Sequence, residues 1–257
     1  MRVIHSRIGV ATVLLALVAA ACAGTSEETK AFCDSFVAAE AMFSADEPDP
    51  VAIENLLADI ESGAPEDVAG DVATIMTAAR TVLQTGDFSA MDSDEFKAAD
   101  FAVDEYMTDE CGYPTLTVTA QDPTNGSADH HEFADVPDTL PNGATTIQFV
   151  NGGGEAHELA VLRVNDGETM NITEILALPE EEAMTKASFV GGTFAMPGDE
   201  NNTGAAFVDL TLGQYAFVCF VPVGATPETI PALESGEFAG GPPHFTEGMV
   251  AEFTVTG

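Results

Sequence analysis

Basic residues are scarce in this chain, and their scarcity excludes a large class of partners. Only 7 Lys and Arg stand against 43 Asp and Glu in 257 residues, for a formal net charge of −36 at pH 7. Because a protein needs Lys and Arg to displace phosphate counterions, nucleic acid is excluded as a partner. The acidic residues are spread over the whole chain, which favours a uniformly solvated acidic surface over one that steers a cationic partner.

Several patterns typical of enzymes are also missing. The turn Gly152–Gly154 follows a strand-like run but leads into another strand instead of a helix, so it is not a phosphate-binding loop. The 5 His are too few for a multicopper oxidase, and no second cysteine stands near Cys219 to build a binuclear copper centre. No catalytic triad can be assembled. We therefore expect that the protein is not an enzyme.

The N-terminus has the layout of a secretory leader. Arg2 and Arg7 precede an apolar run that is too short to span a bilayer, and small residues then lead to Cys22. We interpret residues 1–21 as a lipoprotein signal peptide, Cys22 as the acylated new N-terminus and residues 22–29 as a polar tether. Plain secretion is the alternative. We expect an exported protein, anchored by lipid at the outer face of the cell membrane or held in the periplasm or cell wall space.

Residues 30–113 have the period of amphipathic helices. Apolar residues recur at three- and four-residue spacing from Phe32, after the cap Asp49–Pro50, from Glu66 and from Ser93. This spacing predicts a bundle of four helices. The segment contains no His, and its Asp, Glu and Met show no ligand spacing, so its apolar stripes are interpreted as core.

Residues 114–257 change to a two-residue period. Strand-like runs separated by turn signals lie at Leu116–Val118, Ile147–Phe149, Tyr215–Cys219 and Met249–Val255. One helical interruption is expected at 172–186. The predicted fold class is therefore α+β in two domains, an N-terminal all-α helical bundle and a C-terminal all-β sandwich.

Four potential metal ligands accompany these strands. His157 opens a strand after the glycine turn, Cys219 ends another, and His244 and Met249 follow it. Soft sulfur favours Cu(I) and imidazole accepts Cu(II), so this donor set predicts one mononuclear copper ion that transfers electrons. Zinc at His157, Cys219 and His244 is the competing assignment, against which the methionine argues. The pair His130–His131 is interpreted as solvated surface.

Residues 115–257 resemble the cupredoxin family, the blue copper proteins that include plastocyanin, azurin and halocyanin. The matching segments are Phe149–Asn151 leading to His157–Leu159, then Gly213–Cys219, Pro243–His244, Gly248–Val250 and Glu252–Val255. The resemblance implies a Greek-key sandwich with the metal at one pole, His157 and His244 as imidazole ligands, Cys219 as the thiolate and Met249 as the weak axial thioether. The segment before it resembles the N-terminal part of some actinobacterial lipoproteins.

The resemblance implies that single electrons pass to a redox partner protein, with a cationic cytochrome among the candidates. Two alternatives stay open: a copper-binding or copper-delivery lipoprotein, and a metal-free interaction scaffold that keeps the fold. One departure from the family is the 24 residues, 220–243, between Cys219 and His244, where the family has only a few. A loop insertion is the simplest account, because each doubling of loop length costs only about 0.6 kcal/mol of closure entropy. We expect it to loosen His244 or to expose the metal.

The four cysteines divide by role. With Cys22 acylated and Cys219 on the metal, Cys33 and Cys111 remain as a pair that brackets the helical segment. Because disulfides persist outside the cytoplasm, we predict that these two are bonded. Two buried free thiols are the alternative.

Overall fold

The protein is described by a computed structural model that covers residues 25–43, 49–198, 202–237 and 239–257. The predicted leader 1–21 and the acylation site Cys22 lie outside the described residues. Within those ranges, no helix combines the length and the apolar character needed to cross a bilayer.

Four helices form the first half of the chain: α1 (Glu27–Phe43), α2 (Pro50–Gly63), α3 (Ala69–Thr85) and α4 (Asp94–Glu110). Helix α1 begins at Glu27, inside the segment 22–29 that is predicted to be a tether. The predicted cap is confirmed, since the Asp49 carboxylate accepts the backbone N–H of Val51 at 2.9 Å and Pro50 occupies the first helical position. Gly86 ends α3 with a φ of 68°, a left-handed conformation that glycine adopts without strain.

A disulfide closes the helical half. Cys33 on α1 is bonded to Cys111, the residue after α4, across a sequence separation of 78, which confirms the predicted pairing. Both cysteines are buried in a core of apolar side chains from the four helices. The largest fully buried members of this core are Phe32, Ile53, Leu57, Ile60 and Met107.

Nine strands form two sheets in the second half. They are β1 (Thr115–Gln121), β2 (Glu132–Ala134), β3 (Thr139–Pro141), β4 (Gly143–Asn151), β5 (His157–Val164), β6 (Ala187–Ala195), β7 (Thr203–Leu210), β8 (Gly213–Val218) and β9 (Val250–Thr256). The order is β2-β1-β4-β7 in one sheet and β3-β9-β8-β5-β6 in the other. The predicted sandwich is confirmed. Both sheets are mixed, because β1 pairs with β4 and β3 with β9 in parallel.

Strand β8 is buried on both faces. Tyr215 and Phe217 point into the core between the sheets, while Ala216 and Val218 belong to a second apolar cluster that includes Ile175. The helical interruption expected at 172–186 is two short helices, α5 (Ile172–Leu176) and α6 (Glu180–Ala183), and α5 covers this outer face. A strand covered on both faces needs a continuous apolar run, which the sequence of β8 supplies.

The helical half packs against the sandwich at β7. Phe207 of β7 is 4% exposed and belongs to the helical core, with Ala205 partly buried beside it. The division of the chain into two folding units at residues 113 and 114 stays a prediction.

Candidate metal centre

The register of three neighbouring strands brings the proposed ligands to one pole of the sandwich. In the antiparallel pair β5 and β8, Ala160 lies opposite Val218, so the start of β5 and the end of β8 lie at the same edge. In the pair β8 and β9, Val218 lies opposite Val250, so β9 begins at that edge as well. The residues next to these strand ends are therefore neighbours in space.

Three donor atoms form a small triangle there. The Nδ1 atoms of His157 and His244 are 3.2 Å apart, and the Sγ atom of Cys219 lies 3.3 Å from the Nδ1 atom of His244 and 3.9 Å from that of His157. A point equidistant from all three atoms lies about 2.0 Å from each, which is the length of a metal–nitrogen bond. All three side chains are fully buried and together could hold a metal ion.

Met249 lies beside the triangle. Its backbone N–H donates to the carbonyl of His244 at 3.0 Å, and its carbonyl accepts the N–H of Cys219 at 3.3 Å. Its side chain is fully buried in the same core cluster as Cys219. The chain therefore places Met249 at the site, and its assignment as a weak ligand stays a prediction.

The insertion between Cys219 and His244 does not loosen the site, contrary to our expectation. Its two arms are joined by backbone hydrogen bonds, in which Val223 donates to Pro242 at 3.0 Å, Gly241 donates to Val223 at 2.7 Å and His244 donates to Val221 at 2.8 Å. The extra residues project from a closed base, and His244 stays 0% exposed. The added loop therefore leaves the ligand geometry in place because its ends are paired.

Each imidazole directs its second nitrogen at a buried carboxylate. His157 Nε2 lies 2.9 Å from Asp122 Oδ2, and His244 Nε2 lies 3.0 Å from Glu155 Oε2. With Nδ1 facing the triangle, Nε2 carries the proton and donates it to the carboxylate. Such a partner fixes the tautomer and the ring orientation of a metal-binding histidine and raises its basicity.

Burial sets the protonation of the ligands before any metal binds. It raises the pKa of the Cys219 thiol to about 12, so the thiol holds its proton at neutral pH. Burial also lowers the pKa of His244 to about 4, although the hydrogen bond to Glu155 opposes this, so the imidazole is neutral. The backbone N–H of Glu158 donates to Cys219 Sγ at 3.3 Å and is placed to stabilise a thiolate.

The interpretation of His131 as solvated surface is wrong. His131 is 5% exposed and stacks on His244, with ring centroids 4.2 Å apart and an interplanar angle of 22°. Its neighbour His130 is exposed, as expected. The alternation of a short strand that begins at Glu132 cannot be recognised from three residues, so no sequence pattern indicates this burial.

Two further residues of the site, Asp122 and Glu155, have no recognisable role in the sequence. Asp122 precedes Pro123 and has the pattern of a turn residue, and Glu155 is one of 43 acidic residues. The one available signal is the position of Glu155 two residues before His157, at the end of the glycine turn. The Asn151 side chain shapes that turn by donating to the carbonyl of Glu155 at 2.7 Å and accepting the N–H of Gly153 at 2.8 Å.

No family model and no curated protein matches the chain. Among solved structures it is similar to an auracyanin from the photosynthetic bacterium Roseiflexus castenholzii, with 19% identity, 56% of this chain and 97% of that chain covered, and a TM-score of 0.32. Auracyanin B is 18% identical, with 56% and 89% covered and a TM-score of 0.30. Rusticyanin from Thiobacillus ferrooxidans is 17% identical, with 55% and 77% covered and a TM-score of 0.30.

The strand-bearing half is described by its own geometry. Two mixed sheets enclose one core, and a His–Cys–His triangle lies at one pole of this sandwich.

Gly153 is expected to be essential to the triangle. A Cβ atom at this position would lie 2.0 Å from Asp122 Oδ2 and 2.9 Å from His157 Nε2, directly on the hydrogen bond between them. We expect Gly153→Ala to separate the pair and to lower metal affinity by about 10- to 100-fold, the usual cost of losing such a partner. Competition with a chelator of known affinity measures this. Gly70→Ala, where a Cβ atom meets nothing within 4 Å, is the control. Equal affinity in both variants would contradict the prediction.

Proposed function

We propose that this protein carries single electrons through one copper ion held by His157, Cys219 and His244, with Met249 as a weak axial ligand. The observation that supports this most directly is the triangle of two Nδ1 atoms and one Sγ atom, whose centre lies about 2.0 Å from each donor. Copper in such a donor set supplies reversible exchange between Cu(II) and Cu(I).

The protein holds the three proposed ligands rigidly and away from water. The three ligands are fully buried, two of them adjoin strands that pair along their length, and His244 is held by its closed loop base. A cage that keeps the same shape in both oxidation states lowers the cost of moving an electron. The His244 imidazole is neutral and ready to bind, and the Cys219 thiol must lose its proton.

The test is a titration of the purified protein with Cu(II) and, separately, with Cu(I). Electron transfer predicts one copper per chain, an intense visible absorption in the oxidised form and its reversible loss on reduction. Colourless uptake of Cu(I) alone would indicate storage or delivery instead. No copper bound at all would leave only the interaction scaffold.

We further propose export and lipid anchoring through Cys22. The support is the sequence alone: a short apolar run after Arg2 and Arg7, small residues before Cys22 and a polar segment after it. A copper protein that exchanges electrons at the outer face of the membrane or in the adjoining space would be held there by such an anchor.

The proposed redox partner docks at an aromatic groove beside the ligands. We define the aromatic groove by Phe220, Phe245, Phe189, Met184 and Leu176, which line an open cavity with a volume of about 590 Å³. Phe220 follows Cys219 directly and Phe245 follows His244, and their ring centroids are 5.5 Å apart. The Nε2 atoms of both imidazoles bond buried carboxylates and do not face solvent. The rings of Phe220 and Phe245 therefore offer a short path from the site to solvent.

Charge at the rim of the aromatic groove favours a cationic partner with an apolar contact patch. Glu180, Glu181 and Glu182 form the first turn of α6 at this edge, and Glu180 lines the groove itself. Phe189 and Phe220 are 42% and 40% exposed, so the aromatic groove presents apolar surface to solvent. Both features suit a basic redox protein such as a cationic cytochrome.

Phe220→Ser is expected to slow electron transfer to a basic c-type cytochrome by about tenfold, because it removes apolar contact at the centre of the groove. The visible spectrum should not change. The second-order rate constant, measured by stopped flow, should also fall as ionic strength rises. Phe101→Ser, at a phenylalanine 55% exposed on α4, is the control. Equal slowing in both variants, or a rate that does not depend on salt, would contradict this docking surface.

A further inference from the structure

Two buried carboxylates adjoin the proposed copper ligands, and no Lys or Arg of the described residues forms an ion pair with either of them. Asp122 is 0% exposed and Glu155 is 4% exposed. The ion pairs that Lys and Arg make in the described part of the chain lie elsewhere, at Lys30–Asp34, Arg80–Glu54, Arg80–Glu61, Arg163–Asp166 and Lys186–Glu168. Buried charges in proteins are normally paired with an opposite charge or coordinate a metal.

Asp122 is held as an anion by four donors. Its Oδ2 atom accepts His157 Nε2 at 2.9 Å and the backbone N–H groups of Gly154 at 2.8 Å and Glu155 at 3.0 Å, while Oδ1 accepts the N–H of Thr124 at 2.8 Å. Four N–H donors around one carboxyl group favour its ionised form.

Glu155 is held by three donors from three different segments. Its Oε1 atom accepts the Thr124 hydroxyl at 2.5 Å, and Oε2 accepts the N–H of Gly224 at 2.6 Å and His244 Nε2 at 3.0 Å. These donors favour the ionised form of Glu155 in the same way. Since Gly224 lies in the insertion, this carboxylate also ties the extra loop to the ligand His244.

His131 completes the cluster as a packing partner. Its Nε2 atom is buried, has no hydrogen-bond partner and lies 3.9 Å from Glu155 Oε2. A second metal shared by His131, Glu155 and His244 is disfavoured, because two rings stacked at 22° do not direct their lone pairs to one point. The stack instead restrains the His244 ring and leaves the negative charge of Glu155 directed at His244.

We propose that Asp122 and Glu155, acting through the imidazoles of His157 and His244, favour the more oxidised state of the bound copper and so make this protein an electron donor of low reduction potential. The inference rests on the proposed function. A negative charge in a dry interior stabilises the higher cation charge more than the lower one, and its effect is screened less there than it would be in water. A carboxylate that accepts the Nε2 proton also makes Nδ1 a stronger donor, which acts in the same direction.

The same arrangement favours electron transfer over delivery of Cu(I). A thiolate and two buried carboxylates carry three negative charges, and Cu(I) would balance only one of them. A site specialised for holding Cu(I) would not need these added negative charges, because soft sulfur ligands already favour Cu(I). The carboxylates therefore shift the preference towards Cu(II).

The experiment measures the reduction potential of the copper-loaded full chain and of its variants by spectroelectrochemistry. Asp122→Asn and Glu155→Gln should each raise the potential by at least 59 mV, the equivalent of a tenfold change for one electron, while the visible band persists. Glu155→Asp, which keeps the charge, should stay closer to the original potential than Glu155→Gln. Glu247→Gln is the matched control, because it removes an exposed carboxylate three residues from His244 and should have a much smaller effect.

A shift no larger than that of Glu247→Gln, or a fall in potential, would overturn the inference. Should neither amide variant load copper, Thr124→Val decides. This substitution removes one hydrogen-bond donor from Glu155 and leaves its charge in place. The bond that Glu155 accepts from His244 becomes stronger, so the reduction potential should fall. A rise in the potential would overturn the inference. A wild-type protein that binds copper without a reversible one-electron couple would instead contradict the proposed function.

Discussion

Cys219→Ser is expected to abolish the intense visible absorption of the copper-loaded protein and to leave the fold intact. The absorption of such a site depends on charge transfer from the thiolate to copper, and a serine hydroxyl does not ionise to replace the sulfur. The substitution keeps the side chain small. Its hydroxyl can donate to His244 Nδ1, because Cys219 Sγ lies 3.3 Å from that atom. The loss of colour should therefore not come from unfolding.

The same variant should also change the protons released on binding. Because burial raises the pKa of the Cys219 thiol to about 12, this thiol is protonated at pH 7 and must lose one proton when copper binds. The pKa of His244 is lowered to about 4, so that ligand is already neutral and releases none. Calorimetry in buffers of different ionisation enthalpy should report about one proton more per copper for the wild type than for Cys219→Ser.

Met249→Leu serves as the control for this experiment. It conserves the buried volume and removes only the proposed weak ligand, so the visible band should persist. If Cys219→Ser retained the full band, or if the wild type released no proton at pH 7, Cys219 would not be a copper ligand. If the two variants lost the band equally, the distinct roles of thiolate and thioether would be wrong.

The triangle itself could be predicted from sequence, because strand ends are readable. A two-residue alternation that ends at Cys219, and a glycine turn that opens a strand at His157, locate these residues at sheet edges. Sheet register then brings these residues together, because antiparallel neighbours place the end of one strand beside the start of the next. His244 lies beyond the 24-residue insertion, and the paired base of that insertion explains why it still reaches the site.

The residues around the ligands could not be predicted, because their role depends on long-range geometry. Asp122 and His157 are 35 positions apart, and Glu155 and His244 are 89 apart, with no local pattern to join them. Because the chain has 43 acidic residues, its composition does not indicate which two of them are buried beside the ligands. The burial of His131 has the same origin, since only the folded loop brings its ring over His244.

Removing the disulfide is expected to destabilise the helical half strongly and to leave the copper site unchanged. Cys33 and Cys111 are 78 positions apart, and in the chain-entropy model a closed loop of that length stabilises the folded state by roughly 4 to 5 kcal/mol. The double variant Cys33→Ala and Cys111→Ala should lose about that much. The reason is that the four helices form one small core, and the bond limits how far its unfolded chain can spread.

Two probes separate the halves in a denaturant titration. Far-ultraviolet circular dichroism follows the helices, while the visible band follows the ligands in the sandwich. We expect the helical transition to move to much lower denaturant in the double variant, with the visible transition moving less, because the ligands lie at the ends of strands β5, β8 and β9, whereas the helices pack on β7. Phe207 couples the unfolding of the two halves, because it lies on strand β7 and packs in the helical core. If both transitions moved together, the two halves would unfold as one unit, and a helical shift below about 1 kcal/mol would show that the bond adds little to the packing of the bundle.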